Sequence, residues 1–295
     1  MSRRSGAVLA VIGTKGAPGA SECAASLAAC WPGLLVELDA LGGALDLRFA
    51  RGRQRGGLLD LVRAANSADG VVGELLERWV VDAEGWPPVL LGPPEFERDL
   101  SELARPSAVS TALAALRSHV PLTICDVGFL LAEGVDVGPA ALVHREALLA
   151  ADAVVLVIGA RTQQIAHAVA QIDLMLGPLS LSPELVHVVV NGCGGPGSVP
   201  PRSLELTCAV ALAECALTVA AWLPWDRRGL AQTAKGARPL ARAHRRGPYA
   251  RALTGLLDQL RSALPGFADT PAHARADAGP GRWVMNLTNP STRGS

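Results

Sequence analysis

A doubly wound α/β fold, a mostly parallel sheet with helices on both faces, is what the sequence predicts, on three observations. Hydrophobic residues make up 49% of the 295 and charged ones 18%, enough apolar material for a large core and too little charge for a disordered chain. Short apolar runs alternate with helical patterns over most of the chain, as parallel strands buried on both faces do. The first run ends in a glycine-rich turn that opens a helix, a unit whose backbone N–H groups and helix dipole favour an anion.

The strands are expected at Ala7 to Ile12, Leu34 to Leu38, Val89 to Leu91, Leu122 to Cys125, Ala153 to Ile158, Val186 to Val190 and Thr218 to Leu223. Helices are expected at Ser21 to Cys30, Leu58 to Ala65, Ser107 to His119, Pro139 to Ala150, Thr162 to Leu176, Arg202 to Ala216 and Tyr249 to Leu264. The opening MSRRSGAVLAVIG has a basic start and an apolar run, but it breaks at Gly13-Thr14-Lys15 without a small-residue cleavage pattern, so it reads as a strand and not a signal peptide. Leu206 to Leu223 approaches the length of a membrane span, yet it contains Glu214 and ends at Pro224; a helix followed by a strand suits it better. Residues 1–267 are therefore read as one domain. Beyond it the composition turns to Ala, Gly, Pro, Thr and Asn, so 268–295 are expected to form a flexible tail.

Charge and cysteine content exclude several classes. The 27 basic and 27 acidic residues give a net charge of +0, which leaves no global attraction to nucleic acid or anionic membrane. Cys23, Cys30, Cys125, Cys193, Cys208 and Cys215 contain no C-x-x-C pair, and the six histidines show neither metal-ligand nor catalytic spacing; the cysteines read as buried thiols of a cytoplasmic protein. Arg227, Arg228, Lys235, Arg238, Arg242, Arg245, Arg246 and Arg251 make a local basic stretch, which reads as a solvated helical face with little or no DNA binding.

The turn Gly13-Thr14-Lys15-Gly16-Ala17-Pro18-Gly19-Ala20-Ser21 admits two interpretations. Gly13, Gly16 and Gly19 fit a dinucleotide-binding variant, with Glu37 and Asp39 about 20 residues on where a ribose hydroxyl is held. A short-chain dehydrogenase would need a tyrosine acid and a lysine four residues later; the sole tyrosine is Tyr249, followed at that spacing by Leu253, so this oxidoreductase reading is the lesser alternative. The other interpretation rests on Lys15, one of only two lysines in an arginine-rich chain. Lys15-Gly16-Ala17-Pro18-Gly19-Ala20-Ser21 resembles the deviant phosphate loop (deviant Walker A) K-G-G-x-G-K-[ST] of the MinD/ParA ATPases, which belong to the P-loop NTPases.

The resemblance extends over nearly the whole domain. Leu35-Val36-Glu37-Leu38-Asp39 resembles the strand ending in D-x-D, Gly42-Gly43-Ala44-Leu45-Asp46-Leu47 the switch segment, and Leu122-Thr123-Ile124-Cys125-Asp126 the Walker B strand. Val188-Val189-Val190-Asn191 is similar to the strand whose asparagine reads adenine, and Trp222-Leu223-Pro224-Trp225-Asp226 to the I-P-x-D segment beside the base. Within the group the likeness is to the CpaE/TadZ branch of pilus-assembly and septum-site proteins, carried by Trp86-Pro87-Pro88-Val89-Leu90-Leu91-Gly92-Pro93-Pro94 and the loosened loop. Those relatives often carry an N-terminal receiver-like domain, which this chain is expected to lack or to have lost.

The resemblance implies ATP and Mg2+ as cofactors. It implies nucleotide contacts from Gly13, Lys15, Gly16, Ala17, Gly19, Ala20, Ser21, Glu22, Asn191 and Pro224, magnesium at Ser21, Asp39 and Asp126, and catalytic roles for Asp39, which orients water, and Lys15, which reaches across a homodimer. It further implies a cytoplasmic positioning factor recruited by protein components of a pilus, secretion or division machinery to the inner membrane face, a cell pole or the septum. Ala20 departs from the pattern, standing where the in-cis phosphate lysine belongs. Phosphoryl transfer depends on such electrostatic stabilisation, so weak or absent hydrolysis is expected. Glu22 brings negative charge to the same helix N-terminus, which points the same way. A nucleotide-independent pseudo-ATPase scaffold is the competing expectation.

Overall fold

The computed structural model describes residues 6–16, 19–31, 33–39, 45, 57–67, 70–81, 85–92, 103, 105–129, 139–236 and 238–264. The expected tail, most of the switch segment and Ala17 lie outside them.

Eight strands form one sheet: β1 (Ala7–Gly13), β2 (Leu34–Glu37), β3 (Val80–Val81), β4 (Val89–Leu90), β5 (Leu122–Asp126), β6 (Ala153–Gly159), β7 (Val186–Cys193) and β8 (Val219–Pro224). Their spatial order is β3-β4-β2-β5-β1-β6-β7-β8, parallel throughout except for the antiparallel β3. The α-helices among the described residues are α1 (Ala20–Cys30), α2 (Leu58–Ala65), α3 (Val72–Trp79), α4 (Ala108–Leu116), α5 (Pro139–Leu149), α6 (Thr162–Leu176), α7 (Pro201–Ala213), α8 (Arg227–Gly236), α9 (Leu240–Ala243) and α10 (Pro248–Ala263). The predicted doubly wound fold is thus the observed one. Three helices and β3 were not among the expected elements: α3, α8 and α9.

The fully buried runs of β1 and β6 occupy the centre of the sheet because they are apolar on both faces. Strand alternation then divides the core. Val8, Ala10, Ile12 and Cys125 face a layer with α2, α4, α6 and α7, while Leu9, Val11, Leu35 and Ile124 face α1 and α10. The same alternation carries Asp126 and Glu37 to the α1 face, in register with each other at the carboxyl ends of β5 and β2. At the far edge α10 lies along β8, and Gln259 Nε2 donates to the Ala220 carbonyl at 3.1 Å.

Leu206 to Leu223 resolves into α7 and β8, and no described helix is long and apolar enough to cross a membrane. The cysteines are free thiols; burial pushes Cys23 up to about 12 and Cys193 and Cys208 up to about 11, so they stay protonated at neutral pH.

Candidate anion-binding site at the carboxyl end of the sheet

Chain order reverses around β1, and open α/β sheets bind ligands above the carboxyl ends of strands at such a switch point. The glycine-rich loop sits there. Gly13 N–H donates to the Gly128 carbonyl at 2.7 Å and Thr14 N–H to the Val157 carbonyl at 3.2 Å, which ties the loop to the segment after β5 on one side and to β6 on the other. From α6, Gln164 Nε2 donates to the Gly16 carbonyl, and His167 Nδ1 lies 3.4 Å from the Lys15 carbonyl. Gly16 and Gly19 adopt φ of +67° and +103°, which a side chain would oppose.

Three observations fit this loop to an anion. Gly19 is the N-cap of helix α1 and offers no side-chain cap, so the helix's first N–H groups are left to the loop. The Thr14 hydroxyl is buried with no hydrogen-bond partner among the described residues. A Cβ built on Gly16 would meet nothing within 4 Å among the described residues, so these leave room above the turn. Lys15 is exposed on the rim. Ala20 is buried, and Ser21 half-buried, on the first turn of α1.

Two acidic residues have partners that the sequence does not disclose. Glu22 is buried, and its Oε1 accepts the Leu240 N–H at 2.5 Å and the Ser26 hydroxyl at 3.0 Å; Ser26 Oγ in turn accepts the Ala241 N–H at 3.2 Å. Its carboxylate caps the start of α9 on the side of α1 that packs against 240–249. Glu37 Oε1 accepts the Leu45 N–H at 2.9 Å and Oε2 the Gly92 N–H at 3.0 Å. The extra methylene relative to aspartate lets it bridge two segments that follow β2.

Asp39 lies at the end of β2 against Gly128, where a Cβ would stand 2.8 Å from the Asp39 Cγ. Its Oδ1 is 3.9 Å from Nε2 of the fully buried His144 on α5, whose Nδ1–H donates to the Phe129 carbonyl at 2.8 Å. Burial holds His144 below the usual imidazole value, against the opposing pulls of Asp39 and the Phe129 carbonyl. Asp126 is buried beside β1. Asn191, at the end of β7, presses its amide on the loop: a Cβ on Gly19 would stand 2.3 Å from Nδ2. Pro224, half-buried, ends β8 in register with Cys193.

The structure therefore gathers Gly13, Lys15, Gly16, Gly19, Ala20, Ser21 and Asn191 around one loop, with Asp39 and Asp126 at the neighbouring strand ends. Thr14, Gly128, Gln164, His144 and His167 join them although sequence reasoning did not single them out; only the position of Thr14 inside the loop was a signal. No group of three His, Cys, Asp or Glu side chains able to hold a metal occurs among the described residues, so magnesium here would take most ligands from phosphate and water. Of the basic stretch, Arg242 is half-buried, its guanidinium donating to the Ala29 carbonyl at 3.0 and 3.2 Å, while Arg245 and Arg246 are exposed.

No protein-family model matches the sequence, and no curated protein sequence does. Solved structures do. The septum site-determining protein MinD of Pyrococcus horikoshii, complexed with Mg-ADP, superimposes with a TM-score of 0.63 at 16% identity over 86% of this chain and 95% of that one. A ParA family ATPase from Chlorobium tepidum gives 0.66 at 15% identity over 87% and 99%. A chain of the MinC:MinD cell division protein complex of Aquifex aeolicus gives 0.60 at 14% identity over 87% and 96%.

Proposed function

From a fold shared with MinD and ParA ATPases, we infer that the chain is a nucleotide-binding positioning factor of that kind with weak or absent hydrolysis. The observation that carries this reading is the uncapped N-terminus of α1 under a glycine turn, with the buried Thr14 hydroxyl beside it and Lys15 on the rim. Backbone N–H groups of the loop and of Ala20 and Ser21 hold phosphate oxygens, and Asn191 and Pro224 border the base. Magnesium, when bound, would neutralise phosphate charge; the Ser21 hydroxyl and the Asp126 and Asp39 carboxylates would hold it. Asp39, pinned between Gly128 and His144, orients water. Lys15, exposed on the rim of the loop, reaches the phosphates of a second copy in a homodimer.

Ala20 removes the ammonium that would stabilise charge on the transferring phosphoryl group. Turnover is therefore expected far below the ~1 s⁻¹ that marks the slow end of kinases. Glu22 is no obstacle to binding, because its carboxylate is committed to Leu240 and Ser26. Titrating the protein with a fluorescent ATP analogue and magnesium tests the reading. Binding should be weak in the wild type and about tenfold tighter in Ala20→Lys, the scale of one charge-assisted hydrogen bond. Failure of both proteins to bind would favour the nucleotide-independent scaffold, a reading that the packing of Asn191 on Gly19 also supports.

The CpaE/TadZ likeness makes a pilus, secretion or septum apparatus the machinery positioned. Recruitment from the cytoplasm by protein partners suits a chain without net charge, and Arg242, engaged with the Ala29 carbonyl of α1, is withdrawn from any DNA surface.

A further inference from the structure

Helix α7 carries a second apolar stripe on the side away from the sheet. Its inward stripe, Leu204, Cys208 and Leu212, is buried in the core as that of a surface helix should be. Leu206, Ala209, Val210 and Ala213 repeat a helical spacing on the outside, where Leu206 is 67% and Val210 68% exposed. Single exposed apolar side chains are ordinary, but two on consecutive turns beside a groove mark a contact surface. The groove lies between α7 and α6, has Ile165, Ala166 and Ala211 along it, and encloses about 430 Å³. The Thr207 hydroxyl at its edge donates to the Ser203 carbonyl at 2.7 Å, so it is not free to orient a small polar ligand. Such a lining suits the apolar side chains of a polypeptide.

The chain itself supplies an occupant. Beyond Pro265 the large apolar residues are Phe267, Trp283, Val284, Met285 and Leu287, so four of the five fall within 283–287. Trp283 lies nineteen positions after Leu264, where α10 has just ended. α10 packs on one face of the sheet and α7 on the other, and a segment leaving α10 reaches the groove by rounding β8 at the sheet's edge. The two helical layers stand about 20 Å apart, two layer spacings of roughly 10 Å. A coil of nineteen residues has a root-mean-square span of about 22–26 Å, and a tethered segment reaches its highest effective concentration when span and distance match. Charge agrees, since Arg282 adjoins Trp283 and Glu205 is exposed beside Leu206. A second copy suits the stripe less well: two large side chains and two alanines are a small part of the ~1,200 Å² that a specific interface buries, whereas an intramolecular contact needs far less.

We propose that the groove between α6 and α7 is the seat of this chain's own segment 283–287, with Trp283 as its anchor against Leu206 and Val210. An aromatic set among aliphatic side chains supplies the largest contact area for one ordered residue. α6 is also the helix whose Gln164 donates to the Gly16 carbonyl, one position before Ile165 of the groove. The docked segment therefore covers a surface that adjoins the glycine loop, and a protein partner using that surface has to displace it.

The test is limited trypsin digestion of the native full chain, with cleavage after Arg275 and Arg282 followed separately by mass spectrometry. Cleavage of a segment that opens and closes rapidly tracks the open population, so Arg282 should be cut about tenfold faster in Val210→Asp and in Leu206→Asp than in wild type. Arg275 should be cut at one rate in all three. Both substitutions are at exposed positions, and Val71→Asp, at an exposed apolar residue outside the groove, should keep the wild-type rates. Trp283→Ala should be cut after Arg282 equally fast with and without Val210→Asp, because the contact is already lost. Equal Arg282 rates in wild type and the groove variants overturn the proposal. So does an equal acceleration at both arginines, which reports a loosened domain and not a released segment. Protection that fades on dilution of the protein assigns the groove to a second copy, and protection that appears only with phosphatidylglycerol vesicles assigns the segment to a membrane; either result overturns it.

Discussion

Replacing Glu22 by alanine separates two accounts of this carboxylate, and the structure supplies the magnitude. If Glu22 faced the phosphate loop, its removal would relieve repulsion and tighten nucleotide binding at little cost in stability. In the structure it is buried and accepts hydrogen bonds from the Leu240 N–H and the Ser26 hydroxyl, two bonds to a charged acceptor. Alanine leaves the Leu240 N–H unsatisfied at the start of α9, where Pro239 offers no side-chain cap, and frees the Ser26 hydroxyl that holds Ala241. Each of the two donors left without this acceptor costs about 1–3 kcal/mol, and the carboxylate's own desolvation, no longer incurred, returns part of that sum, so about 2–4 kcal/mol is expected overall. For a domain of this size that lowers the thermal midpoint by roughly 5–10 °C. Glu22→Gln keeps an acceptor at Oε1 and should lose only about 1 kcal/mol. Thermal and urea unfolding of both variants, with nucleotide titration alongside, decides the matter. A Glu22→Ala protein as stable as wild type and tighter for nucleotide would refute the structural account.

Arg242→Ala should destabilise the protein by about 1–2 kcal/mol, by releasing the Ala29 carbonyl, and should leave duplex DNA affinity unchanged. Sub-micromolar binding whose logarithmic salt slope falls by about 0.9 in that variant would reverse the exclusion of DNA. Burial alone lowers His187 below its ordinary value, so the unfolded chain binds a proton there that the folded chain refuses. Stability from this residue is complete above the unfolded value near 6.5 and declines as pH falls from there toward the lower folded value. Urea midpoints should accordingly rise with pH across that window in wild type and rise less in His187→Gln.

Much of the architecture was legible because buried parallel strands are written as uninterrupted apolar runs. β1 and β6 were legible for that reason, and the glycines at 16 and 19 marked a turn whose positive φ values require them. α3 was missed although Val72, Leu75, Leu76 and Trp79 have helical spacing, because it is short and runs directly into β3. α8 and α9 were hidden within arginines that read as one basic stretch. At the site, residue identity disclosed charge but not direction. The partner of Glu22 lies 218 positions away, so no local pattern reveals it. The Gln164 contact with Gly16 and the His144 approach to Asp39 likewise join segments more than 100 positions apart. Such contacts become visible only when the sheet order brings the segments together.

The two borders of the sheet constrain how this molecule meets others. Exposed strand borders invite another chain to continue the ladder, which leads toward fibres and non-specific aggregation. One border here is β3, only two residues long and antiparallel, too short to template a further strand. The other is β8, along which α10 runs, with Gln259 already occupying the Ala220 carbonyl. Main-chain docking is thus blunted on both sides. A partner, or another copy, has to be recognised through side chains on the helical layers and the loops, where a single substitution can change the choice of partner and leave the sheet undisturbed.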